Sequence, residues 1–209
     1  MQIVTVSRMY GSGGSEVAAK VAEKLGWPLL DNEIVEEVAQ RLGITVAEVS
    51  AREERVASAE ERLATTLAMT TGEFVIPGAE ILTSPSEEQM LEVTQRVITD
   101  AVAKGPTVLV GRGAQMQLAQ RADAVHAFCY APRSSLVVRV MARHKCDTAE
   151  AEKITDEMNR NREEYVKKHW KRSWTSHSNY HICVNTDWLG IEGAAELIVS
   201  LARGRFQSA

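Results

Sequence analysis

Between Arg8 and Ser15 the chain reads Arg-Met-Tyr-Gly-Ser-Gly-Gly-Ser, three glycines and two hydroxyls in eight residues. Glycines let consecutive backbone N–H groups converge, and hydroxyls and an arginine add donors, so this composition suits the binding of an anion. The β-branched run Gln2–Ser7 precedes it, and a helical pattern (Val17, Ala18, Val21, Ala22, Leu25) follows at once. Strand, glycine-rich turn and helix start in that order place unpaired donors and a partial positive charge where a phosphate can sit.

The segment fits the phosphate-loop pattern G-x-x-x-x-G-K-[ST] only in part. Gly13 takes the second glycine and Ser15 the hydroxyl that would hold Mg²⁺, while Arg8 stands at the first glycine and Gly14 at the lysine. Tyr10, Gly11, Ser12, Gly13, Gly14 and Ser15 are therefore the expected phosphate-binding residues, with Arg8 as the replacement cation. A ligand-free strand-to-helix turn is the plain alternative. A dinucleotide fingerprint is a further rival, because Asp31 follows at a suitable distance for a ribose-binding acid. That fingerprint fails at its third glycine, which here is Glu16.

The elements that must position this loop alternate. After Trp27–Asp31 as a short strand come a helix over Asn32–Leu42, a charged helix opened by the Thr45–Glu48 capping box and running to about Met69, and a loop over Thr70–Pro85. Ser86–Gln89 is a second capping box. Strands follow at Thr107–Val110, Ala124–Tyr130 and Tyr180–Asn185, with helices from Pro132 to about Lys145, from Asp147 or Thr148 to about Trp170, and from Gly190 to Arg203. This alternation predicts an α/β fold: a five-stranded parallel sheet with helices on both faces, plus a helical insertion. One domain spanning 1–209 is expected, with the insertion at about 45–104 and a lid-like region at about 139–175. Ligands bind such sheets beyond the carboxyl ends of the strands, which gathers the glycine loop, Asp31, Gly111-Arg112-Gly113, Tyr130-Ala131-Pro132 and Asn185-Thr186-Asp187 around one crevice.

Arg162 falls on the inward stripe of its helix, between Met158 and Tyr165, where a guanidinium needs an anionic partner. A structural ion pair would serve it equally. Arg139 and Arg143 lie four apart on the preceding helix, and a solvated face is their alternative role. Asp31 could act near a transferred phosphoryl group or simply cap the next helix. A formal net charge of -4 argues against a global nucleic-acid or anionic-membrane binder and leaves room for a local basic patch. No apolar stretch is long enough to span a membrane, and the run Gln2–Ser7 is too short for the core of a secretion signal. The three scattered cysteines, Cys129, Cys146 and Cys183, have no metal-ligand spacing and suit a reduced, cytoplasmic protein. The charged helix after Thr45 presents a solvated face or, alternatively, a homodimer contact.

Taken in order, Ile3-Thr5-Ser7-Arg8-x-Tyr10-Gly11-Ser12-Gly13-Gly14, Leu30-Asp31-Asn32-Glu33-Ile34, Val110-Gly111-Arg112-Gly113-Ala114, Ala131-Pro132…Arg139-Val140-Met141, Asn159-Arg160-Asn161-Arg162…Tyr165, Trp174 and Tyr180-x-x-x-Val184-Asn185-Thr186 resemble the cytidylate kinase-like proteins. The resemblance covers nearly the whole chain, least within 45–100. It implies a P-loop kinase fold, ATP and Mg²⁺, and a nucleotide acceptor such as CMP or dCMP. On it, Arg8, Arg112, Arg139, Arg162 and Asp31 are the expected catalytic set. The chain departs from true cytidylate kinases at several positions. Glu37 stands near the arginine that grips the acceptor phosphate, Gly113 replaces the acid of Gly-Arg-Asp, and Val110 replaces an acid before Gly111. These departures keep open a nucleotide-binding module without turnover and a kinase of another small alcohol.

Overall fold

The computed structural model describes residues 2–49 and 85–207. Five parallel strands, β1 (Ile3–Arg8), β2 (Leu29–Leu30), β3 (Thr107–Val110), β4 (Ala124–Tyr130) and β5 (Ile182–Asn185), form one sheet in the order β2-β3-β1-β4-β5. The central position of β1 puts the glycine loop at the middle of the sheet's carboxyl edge. Both faces of β1 are covered, so its residues from Ile3 to Ser7 are all buried and its apolar run is nearly unbroken.

Helices α1 (Gly14–Leu25) and α7 (Thr186–Gln207) cover one face. Val17, Ala18 and Val21 of α1 pack with Ala194, Ala195 and Ile198 of α7 against Val4, Val6, Val108 and Val184. Small residues on both helices bring them close together over the sheet. Helices α2 (Asn32–Leu42) and α3 (Glu87–Ala103) cover the other face, where Ile34, Val38, Met90 and Ile98 bury Ile3 and Leu109. The short α4 (Ala114–Gln117) continues this layer. Helices α5 (Arg133–His144) and α6 (Thr148–Trp170) form a hairpin lying against the glycine loop, with Tyr10 packed among Val137, Val140, Met141, Ala151 and Ile154.

The capping boxes form as their sequences require. Ser86 and Gln89 exchange side-chain-to-backbone bonds at the start of α3, and Thr45 and Glu48 do so at the start of the helix over 46–49. The expected continuation of that helix to about Met69, and the expected loop from Thr70 as far as Ser84, lie outside the described residues. Asp147, not Thr148, caps α6, through a bond from the Glu150 N–H. The closing helix starts four residues before Gly190. Asn185 Oδ1 accepts the N–H groups of Asp187 and Trp188, which nucleates a turn that breaks at Gly190 (φ 69°, ψ 175°) and then resumes. Among the described residues no helix is long and apolar enough to cross a membrane.

His126 lies inside β4, buried, with Nδ1 bonded to the Thr5 hydroxyl at 2.8 Å and its ring stacked on His181. Burial pushes its pKa from 6.5 down to about 4, aided by the neighbouring His181. The folded protein therefore disfavours the imidazolium that the unfolded chain accepts freely below pH 6.5. Stability is full above that pH and falls as pH drops towards 4, by up to about 3 kcal/mol. Urea denaturation between pH 7 and 4 should show this loss, and His126→Gln should flatten the slope by about one proton.

Candidate functional site

At the end of β1 the side chain of Arg8 runs across the glycine loop rather than away from it. Its stem passes over the first turn of α1: a Cβ placed on Gly14 would lie 2.3 Å from Arg8 Cβ and 3.0 Å from Cys129 Cβ. Gly14 is in ordinary helical conformation, so space alone demands glycine there. The guanidinium then lies against Gly111, whose absent Cβ would fall 2.0 Å from Arg8 Nη1. The two departures from the phosphate-loop pattern are thus one. Arginine at the first glycine position fills the room that a lysine at position 14 would take.

The Arg8 head reaches Asp31 Oδ1 at 3.5 Å, and Arg112 Nη1 reaches the same oxygen at 3.2 Å. Arg112 also donates to the Val110 carbonyl. These three side chains, from the ends of β1, β2 and β3, are 18%, 21% and 12% exposed for Arg8, Asp31 and Arg112. Asp31 stands at the N-cap position of α2 yet makes no side-chain cap bond; its carboxylate turns to the two arginines. Two guanidiniums thus share one carboxylate oxygen.

The glycine loop offers its donors beside that cluster. Gly13 (φ 74°) turns the chain into α1, and the first intrahelical bond runs from the Val17 N–H to the Gly13 carbonyl. The N–H groups of Gly14, Ser15 and Glu16 precede it and have no helical acceptor. Other loop groups are engaged within the protein. The Ser12 N–H and hydroxyl both donate to the Met9 carbonyl, and the Ser12 side chain is buried. The Tyr10 N–H donates to Asn159 Oδ1 at 2.7 Å, and its hydroxyl meets His144 Nε2 at 2.7 Å. Of the six expected phosphate-binding residues, Tyr10 and Ser12 therefore brace the loop, while Gly13, Gly14 and Ser15 present it.

Arg139 and Arg162 also sit at the loop, and both bind its carbonyls. Arg139 Nη1 donates to the Ser12 carbonyl at 2.8 Å, and Arg162 Nη1 donates to the Arg8 carbonyl at 2.6 Å while its guanidinium lies 5.4 Å from the Tyr10 ring centre. The inward stripe of α6 brings Arg162 to the loop, where one of its partners is a peptide oxygen, an acceptor that charge reasoning on the sequence does not consider. Glu37 pairs with Arg41 at 2.8 Å, and Arg41 bonds Asp100 at the same distance, so a net negative cluster stands between α2 and α3.

Two further residues stand at the loop and the crevice. Thr186, one of the strand-end residues expected around the crevice, is buried and donates to the Ser12 carbonyl at 2.6 Å. Trp170, to which sequence spacing assigns no contact, covers Gly113. A Cβ on Gly113 would lie 2.3 Å from the indole ring, which itself packs with Tyr165 and His169. Lys168 ties this end of α6 to Glu87 at the start of α3.

A parallel sheet of this order, with a glycine loop leading from its central strand into a helix and arginines at the neighbouring strand ends, defines the nucleoside-monophosphate-kinase class of P-loop folds. The chain belongs to the cytidylate kinase-like family, whose model matches residues 3–188. Its fold is similar to that of an uncharacterized protein from Eubacterium ventriosum, with a TM-score of 0.70, 20% identity, and coverage of 97% of this chain and 98% of that one. It is also similar to a shikimate kinase from Acinetobacter baumannii in complex with shikimate (TM-score 0.53, 13% identity, coverage 100% and 94%). A gluconokinase from Sinorhizobium meliloti is alike to a similar degree (TM-score 0.51, 12% identity, coverage 100% and 97%). At these identities the likenesses concern the fold alone. No curated protein matches the sequence.

The shared space of Arg8 and Gly14 yields a test by double-mutant cycle. Gly14→Lys, which restores the usual lysine, should destabilise the protein by about 2–3 kcal/mol because its stem meets the Arg8 stem. Arg8→Gly combined with Gly14→Lys should recover most of that loss, read as a non-additive coupling in urea denaturation.

Proposed function

We propose that the protein transfers the terminal phosphoryl group of ATP to a small acceptor, a nucleoside monophosphate such as CMP or dCMP. The observation that carries this reading is the convergence of Arg8 and Arg112 on Asp31 beside the open N–H groups of Gly14 and Ser15. The donor set fits polyphosphate: backbone N–H groups at a helix start, beside two arginines that meet at Asp31. ATP·Mg²⁺, when bound, supplies the phosphoryl donor and the divalent charge. In this reading Gly13, Gly14 and Ser15 hold the donor phosphates, the Ser15 hydroxyl is the oxygen ligand for Mg²⁺, and Arg8 takes the role of the missing lysine. Arg112 neutralises charge between donor and acceptor. Asp31 holds the two guanidiniums apart and oriented until phosphate oxygens take them over. The hairpin of α5 and α6 serves as the lid, with Arg139 and Arg162 acting through the loop carbonyls they bind.

A kinase of another small hydroxyl compound is the second reading, favoured by the Trp170 ring over Gly113. The indole takes the room that a base-reading acid would need, and the Glu37–Arg41–Asp100 cluster carries no surplus positive charge for a second phosphate. A shikimate kinase in complex with shikimate and a gluconokinase share this fold, which supports the second reading. A regulatory module that binds nucleotide without turnover is the remaining alternative.

Coupled-assay turnover with ATP·Mg²⁺ against a panel of nucleoside monophosphates and small polyols separates these readings. Arg8→Ala combined with Arg112→Ala should lower kcat/KM on the productive acceptor by about 10²–10³-fold. Equal turnover by wild type and the double variant would overturn the assignment; calorimetric ATP binding with no turnover on any acceptor would establish the binding module.

A further inference from the structure

We infer that Thr186 and Arg139 are positioning residues that aim the Gly13 N–H into the phosphate cradle by holding the Ser12 carbonyl out of it. This rests on the phosphate-binding reading above and assigns to it a part of the structure that no motif covers.

The Ser12 carbonyl oxygen accepts two bonds from outside the loop, one from Thr186 Oγ1 at 2.6 Å and one from Arg139 Nη1 at 2.8 Å. Arg139 Nη1 also reaches Thr186 Oγ1 at 3.2 Å, and its Nη2 reaches the Thr186 carbonyl at 3.3 Å. Thr186 has a second acceptor in range, the Tyr130 carbonyl at 3.2 Å, but its single proton serves the nearer Ser12 oxygen. Both Ser12 and Thr186 are buried with no exposed surface, so this is a fixed contact and not a surface pair. Ile191, just beyond the break at Gly190, packs against Gly13 from the same side, 2.5 Å from where its Cβ would be.

The consequence follows from the planar peptide. The Ser12–Gly13 bond is trans, as are all the described peptides, so the Ser12 C=O and the Gly13 N–H point in opposite directions. A carbonyl held towards Thr186 and Arg139 sends the Gly13 N–H to the other side, which is where the N–H groups of Gly14 and Ser15 begin α1. A flip of that peptide would put a partial negative charge into the cradle and remove a donor from it. Glycine at 13 permits such a flip sterically, so the loop needs an external hold. The hold comes from α5 and from the β5–α7 junction, neither adjacent to the loop in sequence.

The test uses the full chain with Thr186→Val, which keeps the shape and removes the donor, Thr186→Ser, which keeps the donor, and Arg139→Lys, which keeps charge but cannot span both acceptors. In the ligand-free protein, the Ser12 carbonyl ¹³C shift and the Gly13 amide ¹⁵N relaxation report the peptide directly. Thr186→Val should move the carbonyl signal and loosen the amide, Arg139→Lys should do so less, and Thr186→Ser should resemble wild type. Calorimetric titration with inorganic pyrophosphate should show a Kd about tenfold weaker for Thr186→Val and within about twofold of wild type for Thr186→Ser. An unchanged Gly13 amide and unchanged pyrophosphate affinity in both Thr186→Val and Arg139→Lys would overturn the inference. Failure of wild type itself to bind pyrophosphate, with the carbonyl shift still sensitive to Thr186→Val, would instead overturn the phosphate reading on which the cradle depends. Arg139→Lys keeps the outcome decisive if Thr186→Val does not fold.

Discussion

Everything at the carboxyl edge of this sheet is arranged around the path of one side chain. Arg8 leaves the end of β1, crosses the first turn of α1, lies over Gly111 and ends at Asp31. Its stem cannot coexist with a Cβ at position 14. That excludes the lysine usual in phosphate loops and makes the helix start a bare backbone surface. Its head cannot coexist comfortably with a Cβ at 111, so the chain turns there with a glycine at positive φ and delivers Arg112 to the same carboxylate. The absent lysine thus coincides with a guanidinium lying beside the same loop. The charge enters from the strand side of the loop instead of the helix side, at a distance set by two residue swaps that only make sense together.

The second constraint is the handling of carbonyl oxygens. A loop that presents N–H groups to an anion must send the matching C=O groups elsewhere, and each needs a donor when buried. Here Arg162 takes the Arg8 carbonyl, Ser12 takes that of Met9, and Arg139 with Thr186 takes that of Ser12. Arginines suit this work because a guanidinium offers several directed donors and stays charged. The charge does a second service by raising the potential at the cradle without occupying it. Arg139 and Arg162 thus hold the loop through its backbone, while Arg8 and Arg112 converge on Asp31.

The fold was readable because it depends on patterns that local sequence carries: apolar strands at regular intervals, 3.6-residue stripes, and capping boxes at Thr45 and Ser86 that form as written. The convergence of strand ends was readable for the same reason, since parallel topology alone brings Arg8, Asp31 and Arg112 together. What could not be read were relations of volume between distant residues. Gly14 and Gly113 look like losses of a lysine and an acid when each is compared with a motif. In space each is the complement of a large side chain elsewhere, Arg8 in one case and Trp170, far along the chain, in the other. Likewise, helical periodicity placed Arg162 inward, but it could not show that a peptide oxygen would be waiting there. The last helix runs on from the break at Gly190 as its periodicity predicts, and only the short turn over 186–189 before it, nucleated by the side-chain acceptor Asn185, leaves no mark in that periodicity.

Asp31 turns away from the capping role that its position offers. An aspartate at an N-cap position ordinarily accepts a helix N–H and gains about 1 kcal/mol by doing so. Asp31 forgoes that bond, and its own N–H is satisfied instead by the Glu33 carboxylate at 3.0 Å. Its oxygen lies 3.5 and 3.2 Å from two guanidiniums that repel each other, distances longer than those of tight charge-assisted bonds. A pairing selected for stability alone would match one carboxylate to one arginine at close range and cap α2 with the other oxygen. The carboxylate is shared between two guanidiniums at the mouth of a loop whose carbonyls are drawn aside, the arrangement on which the proposed phosphate site rests.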